Sequence, residues 1–113
     1  MAKTPKVRQR ARRDRNHAEI VRTFERLGGS WLDLSGVAGA LDGILGVAGV
    51  DIRVEIKDGE LSPSKKKLTP AEGEVFQTWR GRKPVVVTTI EEAVNLVNQL
   101  RREAHAAMGK KRT

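Results

Sequence analysis

The 113-residue sequence predicts an α/β fold in which a central mixed sheet is flanked by helices, in the order α-β-β-β-α-β-α. Three observations carry that reading. Apolar residues recur at helical spacing near both ends of the central region, at Ile20, Val21, Phe24 and Leu27 and again at Ala93, Leu96, Val97 and Leu100. Between them lie alternating or β-branched runs of strand length. Two helix-start signatures, Thr69-Pro70-Ala71-Glu72 and Thr89-Ile90-Glu91-Glu92, then bracket the last of those runs.

The elements follow in order. Residues 1–13 have no apolar periodicity and read as a basic disordered arm. A helix starts near Asp14 or Asn16 and runs to about Leu27, where Gly28-Gly29 ends it. Ser30 to Ser35 alternate and form a first strand, followed by a small-residue loop from Gly36 to Ala40. Leu41 to Val47 and Val50 to Lys57 form a hairpin through a tight turn at Ala48-Gly49. Asp58-Gly59 ends that hairpin, and Glu60 to Leu68, with Ser62-Pro63-Ser64 and Lys65-Lys66-Lys67, is an exposed loop. Thr69 caps a helix with Pro70 at its first position and Glu72 closing a capping box; it ends near Arg80, before Gly81. Pro84 to Thr88 is a short strand, placed centrally because Val85, Val86 and Val87 are continuously apolar. Thr89 opens the last helix. One domain, 14–102, therefore lies between the arm at 1–13 and a basic tail at 103–113 that holds His105.

Composition narrows the function classes. With no cysteine, neither a disulfide framework nor a thiolate zinc site is available, which fits a reducing cytoplasm. No run of about 18 apolar residues exists for a membrane span, and the charged N-terminus lacks the apolar stretch of a secretory signal. The net charge is +8, and it is concentrated at the ends. Residues 1–15 carry Lys3, Lys6, Arg8, Arg10, Arg12, Arg13 and Arg15 against Asp14, and residues 101–113 carry five cations against Glu103. The segment between is slightly acidic. Basic ends on a near-neutral body suit a polyanion, because phosphate contacts release counterions. Solubilising tails or a membrane-surface anchor would share this charge pattern.

The chemistry-bearing pattern is Asp42, twelve intervening residues, then Glu55-Ile56-Lys57. Side chains alternate along a strand, so Glu55 and Lys57 share one face while Ile52, Val54 and Ile56 fill the other. If the two hairpin strands are antiparallel neighbours, Asp42 and Glu55 reach one point, with the Ile56 backbone carbonyl beside them. Mg²⁺, or Mn²⁺, takes such oxygen ligands and lowers the pKa of bound water. Lys57 can orient that water or offset charge developing on a phosphate. Phosphodiester hydrolysis is the matching reaction.

These residues resemble the PD-(D/E)XK nuclease superfamily over Asn16 to Leu100, with its restriction-endonuclease-like core. The nearest branches are the archaeal-type Holliday-junction resolvases and the virus-type replication-repair nucleases. The resemblance implies an accessory active-site acid at Glu19, within His17-Ala18-Glu19-Ile20-Val21, and a loop serine at Ser35. It matches Lys67 to Pro70 to the segment that leads into the crossover helix, and implies a polar residue, Gln77, facing the site from that helix. Leu41 stands where the family places a proline, a position that shapes the chain ahead of the aspartate and carries no chemistry. What the resemblance implies is a Mg²⁺-dependent DNA endonuclease acting on four-way junctions as a homodimer. Arg8, Arg10, Arg12, Arg13 and Lys65 to Lys67 would hold the DNA backbone without sequence readout.

Other readings use the same residues. A flap- or single-strand-directed nuclease of the virus type needs no change of site, and a non-catalytic DNA-binding module is the different-class alternative. Asp42-Gly43 also suits a plain turn, and Glu55 and Lys57, with Asp51 and Arg53, a solvated strand face. His17 suits helix-start polarity as well as phosphate binding. Trp31, Phe76 and Trp79 read as core or subunit-contact aromatics. For Trp79, beside Arg80 and Arg82, stacking on a base is the other reading.

Overall fold

Four strands form a single mixed sheet in the order β1-β2-β3-β4, seen in a computed structural model that describes residues 16–37, 39–58 and 68–112. Helix α1 covers residues 16–26 of the described chain. It is followed by β1 (Ser30–Asp33), β2 (Gly43–Val47), β3 (Val50–Ile56), helix α2 (Pro70–Thr78), β4 (Val85–Val87) and helix α3 (Ile90–Arg112). The α-β-β-β-α-β-α order is the one the sequence predicts. β1 and β2 pair antiparallel, as do β2 and β3, whereas β4 joins β3 in parallel after the α2 crossover.

The β2–β3 turn is the predicted one. Ala48 and Gly49 both adopt positive φ (54° and 82°), the geometry of a two-residue turn that matches strand twist. It sets the register Leu45↔Ile52 and Gly43↔Val54. Leu45, Val47, Ile52, Val54 and Ile56 thereby share one face, which packs on Ile20 and Phe24 of α1 and on Ala93, Leu96, Val97 and Leu100 of α3. Trp31 stacks on Phe24 at 5.6 Å and lies so close to Gly43 that a Cβ there would sit 2.5 Å from the indole ring. Gly28, at φ 91°, ends α1 in the left-handed conformation that glycine adopts without strain. The Arg101 guanidinium donates to the Leu27 carbonyl at the same helix end.

Three expectations need correction. β4 is an edge strand, because pairing with β3 uses one side of β4 and no described strand takes the other, and Val86 is exposed on its outer face. The chain beyond residue 102 is no tail: α3 continues to Arg112, carried by good helix formers after its apolar stripe ends at Leu100. β2 starts at Gly43, so Leu41 and Asp42 precede it, and Leu41 holds φ 65°. That conformation is closed to proline, whose ring fixes φ near −65°. Smaller differences shorten β1 to Asp33, β4 to Val85–Val87 and α2 to Thr78. The arm 1–13, Arg8, Arg10, Arg12 and Arg13 within it, and Lys65, Lys66 and Lys67 lie outside the described residues.

Candidate active site

Asp42 and Glu55 meet where β2 begins and β3 ends. Gly43 faces Val54, so one step back Asp42 stands against Glu55. Although outside β2, Asp42 is held by backbone bonds on both sides: its N–H donates to the Val54 carbonyl (3.2 Å), and its carbonyl accepts from Leu34 (2.8 Å). Its carboxylate Oδ2 accepts the Ile56 N–H at 2.7 Å. Ile56 therefore meets Asp42 through its amide. Both acids are buried, Asp42 at 6 % exposure and Glu55 at 2 %. Water-free burial of two neighbouring carboxyls is costly unless a proton, a cation or a hydrogen bond offsets it.

The offset comes from Lys57 and from a residue the sequence reading assigned only to a helix cap. Lys57 Nζ lies 3.3 Å from Glu55 Oε2 and 2.9 Å from Glu72 Oε1. Glu72 sits in the first turn of α2, where the predicted capping box is complete: Thr69 Oγ1 accepts from the Glu72 N–H, and the Glu72 carboxylate accepts from the Thr69 N–H. One carboxylate thus closes the helix cap and reaches the end of β3. Local spacing announces the first role; the second depends on how α2 docks.

The electrostatics follow from this packing. Burial, a hydrogen bond to Glu72 and the negative charges of Asp42 and Glu72 push Glu55 up to about 8, against the opposing pull of Lys57. Burial works against the Lys57 charge, yet the bond to Glu72 and the charges of Glu55 and Glu72 outweigh it and raise its pKa. Burial would raise Glu72, but the Thr69 N–H, Glu55 and Lys57 bring it below the ordinary carboxylate range. The Glu55 Oε2 atom, although close to Lys57, is buried without a hydrogen-bond partner.

That oxygen, ion-paired with Lys57 but without a hydrogen bond, is the feature a metal cation would satisfy. Among the described residues no group of three or more His, Cys, Asp or Glu is arranged to hold a metal. The donor set is instead a facing carboxylate pair, which suits Mg²⁺ because it keeps several waters and takes one or two carboxylates.

The other predicted site residues are placed as follows. Glu19 lies one turn after Asn16 on α1, half-buried, and its side chain makes no hydrogen bond or ion pair to another described residue. Its neighbour Asn16 approaches the site instead, donating from Nδ2 to the Lys57 carbonyl at 2.9 Å. Ser35 is exposed and donates both its N–H and its hydroxyl to Asp33 Oδ1 (3.0 and 2.5 Å). Asp33 Oδ2 pairs with His17 Nε2 at 2.9 Å and accepts from Trp31 Nε1. Slight burial would raise Asp33, but the bonds from Ser35, His17 and Trp31 outweigh it and hold it at about 2. Gln77 is exposed and bonds to no described side chain; Glu72 is the α2 residue that touches Lys57.

No family model matches the chain, and neither a curated protein nor a solved structure is significantly similar to it. Among the described residues, no helix is long and apolar enough to cross a membrane.

Proposed function

We propose that this chain is a metal-dependent, structure-selective DNA endonuclease with a restriction-endonuclease-like core, and that its substrate is a four-way junction. The observation that carries the reading is the buried Asp42–Glu55 pair with Lys57 beside it at the end of β3. Solvated polar strand faces do not bury two acids side by side.

Asp42 and Glu55 would hold Mg²⁺ or Mn²⁺, with the Ile56 carbonyl as a third oxygen. When bound, the cation supplies Lewis acidity toward a phosphate and a more acidic water. Lys57, charged and aimed at Glu55, places a cation where the attacking water and the phosphate oxygens would meet. Glu72 keeps the Lys57 side chain extended toward that point, and Asn16 tethers its backbone. Glu19 would serve as an accessory acid on the α1 side.

The basic residues of the arm, with Lys65 to Lys67 and Ser35, would grip the DNA backbone, and Gln77 would contact it from the exposed side of α2. Symmetric cutting of two strands requires two copies of the site, so this reading includes a homodimer. Incubation with a synthetic four-way junction, a flap and a linear duplex, with Mg²⁺ and with EDTA, tests it. Mg²⁺-dependent cleavage of the junction that is lost in Asp42→Asn supports the reading. Binding of all three without cleavage makes the chain a non-catalytic DNA-binding module.

A further inference from the structure

A second feature lies on the same sheet face as the acid pair. Arg53 precedes Glu55 by two residues on β3, which places its side chain about 7 Å from that of Glu55 along the same face. Its guanidinium sits over the indole ring of Trp79, 4.4 Å from the centroid, and donates to the Gly39 carbonyl at 3.1 Å. Trp79 caps the C-terminus of α2, and its N–H donates to the Val75 carbonyl. The Gly81 backbone presses against the indole edge so closely that a Cβ would lie 2.9 Å from Nε1. The ring is thus fixed in orientation by Arg53, the helix end and Gly81, yet 45 % of the residue is exposed. Beside it runs a groove lined by Ile44, Asp51, Arg53, Trp79 and Arg82.

Of the two tryptophans, Trp31 packs against Phe24 and Trp79 is the exposed one. The charges around it favour an anion. Arg53 and Arg82 line the groove with the ring, with Asp51 as the opposing acid, and Arg80 and Lys83 follow Trp79 in sequence; Glu103 pairs with Arg82 at 2.6 Å. A flat apolar ring bordered by cations, one strand repeat from the acid pair, has the chemistry of a stacking platform for a nucleobase whose phosphates lie against arginine.

We propose that Trp79 and Arg53 form a binding site for one unpaired nucleotide next to the bond that Asp42, Glu55 and Lys57 would cut. The proposal rests on the endonuclease reading for its placement, and it sharpens that substrate: a four-way junction whose branch point opens to free one unpaired nucleotide at the cut. A base paired within a duplex cannot lay its face on Trp79, so duplex DNA engages the basic residues alone.

The test is binding in EDTA, which separates the groove from catalysis. Three probes are compared at equal phosphate number: a short oligothymidylate, the same oligomer with abasic sites, and a duplex. The expected result is quenching of tryptophan emission by oligothymidylate, absent with the abasic oligomer and lost in Trp79→Phe. Trp79→Ala should weaken oligothymidylate binding roughly tenfold, while Trp79→Phe, which keeps an aromatic face, weakens it less. Duplex affinity should be unchanged in both. Equal quenching by the abasic oligomer, or an equal loss of duplex and single-strand affinity in Trp79→Ala, overturns the proposal. The two readings fail separately. Base-dependent quenching without any cleavage leaves the groove standing and removes the nuclease; Asp42-dependent cleavage with no base-dependent signal does the reverse.

Discussion

The Oε1 atom of Glu72 accepts from the Lys57 ammonium at 2.9 Å and from the Thr69 backbone N–H at 2.8 Å. A helix cap and a candidate catalytic lysine therefore share one oxygen. Any change to Glu72 acts on the start of α2 and on the position of Lys57 together, and the two effects can be divided by choice of substituent.

Glutamine at this position still serves a capping box, so Glu72→Gln should keep the start of α2 intact while removing the charge that holds Lys57 at the site. Unfolding midpoints close to wild type are expected, with junction cleavage reduced about tenfold or more, the scale of losing a partner that orients a site residue. Glu72→Ala loses the cap as well and should cost about 1 kcal/mol in addition. Thermal unfolding and single-turnover cleavage measured side by side check both. Unchanged cleavage in Glu72→Gln would leave Glu72 a helix cap and nothing more.

Asp42→Asn and Lys57→Ala should lower cleavage by about a hundredfold or more, because each removes a charge from the point where the phosphate would react. Junction binding in EDTA should remain, since neither residue belongs to the basic arm. Asp42→Asn keeps an oxygen that can accept from the Ile56 N–H, so its fold is preserved and its loss of activity is chemical. Activity that survives both changes would move the chain to the binding-module class.

Glu55 gives a pH signature. Its folded value, about 8, stands above the ordinary 4.5, so the folded protein binds the extra proton between those values. Stability from this group is fully present below about pH 4.5 and is lost as pH rises toward 8, by at most about 1.4 kcal/mol per pH unit. In EDTA the unfolding midpoint should fall across that range. Millimolar Mg²⁺ should recover part of the loss and release a proton, because a cation favours the ionised carboxylate. Glu55→Gln, which resembles the protonated acid in shape, should flatten the pH dependence, abolish the Mg²⁺ effect and leave the protein folded. Calorimetric titrations in two buffers of different ionisation enthalpy, with Mg²⁺ added, read the proton directly.

How much of this was readable from the chain divides along physical lines. Features set by neighbours in sequence were readable: the Ala48-Gly49 turn, the Thr69–Glu72 box and the Leu100-side stripe of α3 all follow from local backbone and spacing. The pairing of Asp42 with Glu55 was readable too, because a tight turn sets register and register sets which residues oppose each other. What depends on docking was not. Three consecutive valines are compatible with a central or an edge strand, and only the parallel pairing to β3 decides that β4 is an edge. Glu72 and Gln77 are both polar residues of α2, and which one reaches Lys57 depends on how the helix lies on the sheet. Arg101 and Glu103 stood in the charged stretch 101–113 with no partner legible; one serves the C-terminal carbonyl of α1 and the other pairs with Arg82.

Those assignments bear on the last prediction, because they show where cations remain for DNA. On the described body, Arg101 is engaged with Leu27, Arg82 with Glu103 and Arg53 with Trp79. The six lysines and arginines of residues 1–13 carry the largest block of charge on the chain. If they neutralise phosphates, the logarithm of the binding constant should fall with the logarithm of salt by about 0.9 for each contact. Deleting residues 1–13 should then weaken junction binding at low salt and reduce the magnitude of that slope by several units. The truncated protein should converge on the full chain as salt rises, since a released counterion is worth less in concentrated salt. Cleavage at saturating DNA should be nearly unchanged, because the arm supplies none of Asp42, Glu55, Lys57 or Glu72. Identical slopes for the two proteins would place the phosphate contacts elsewhere and leave the arm without a role in binding.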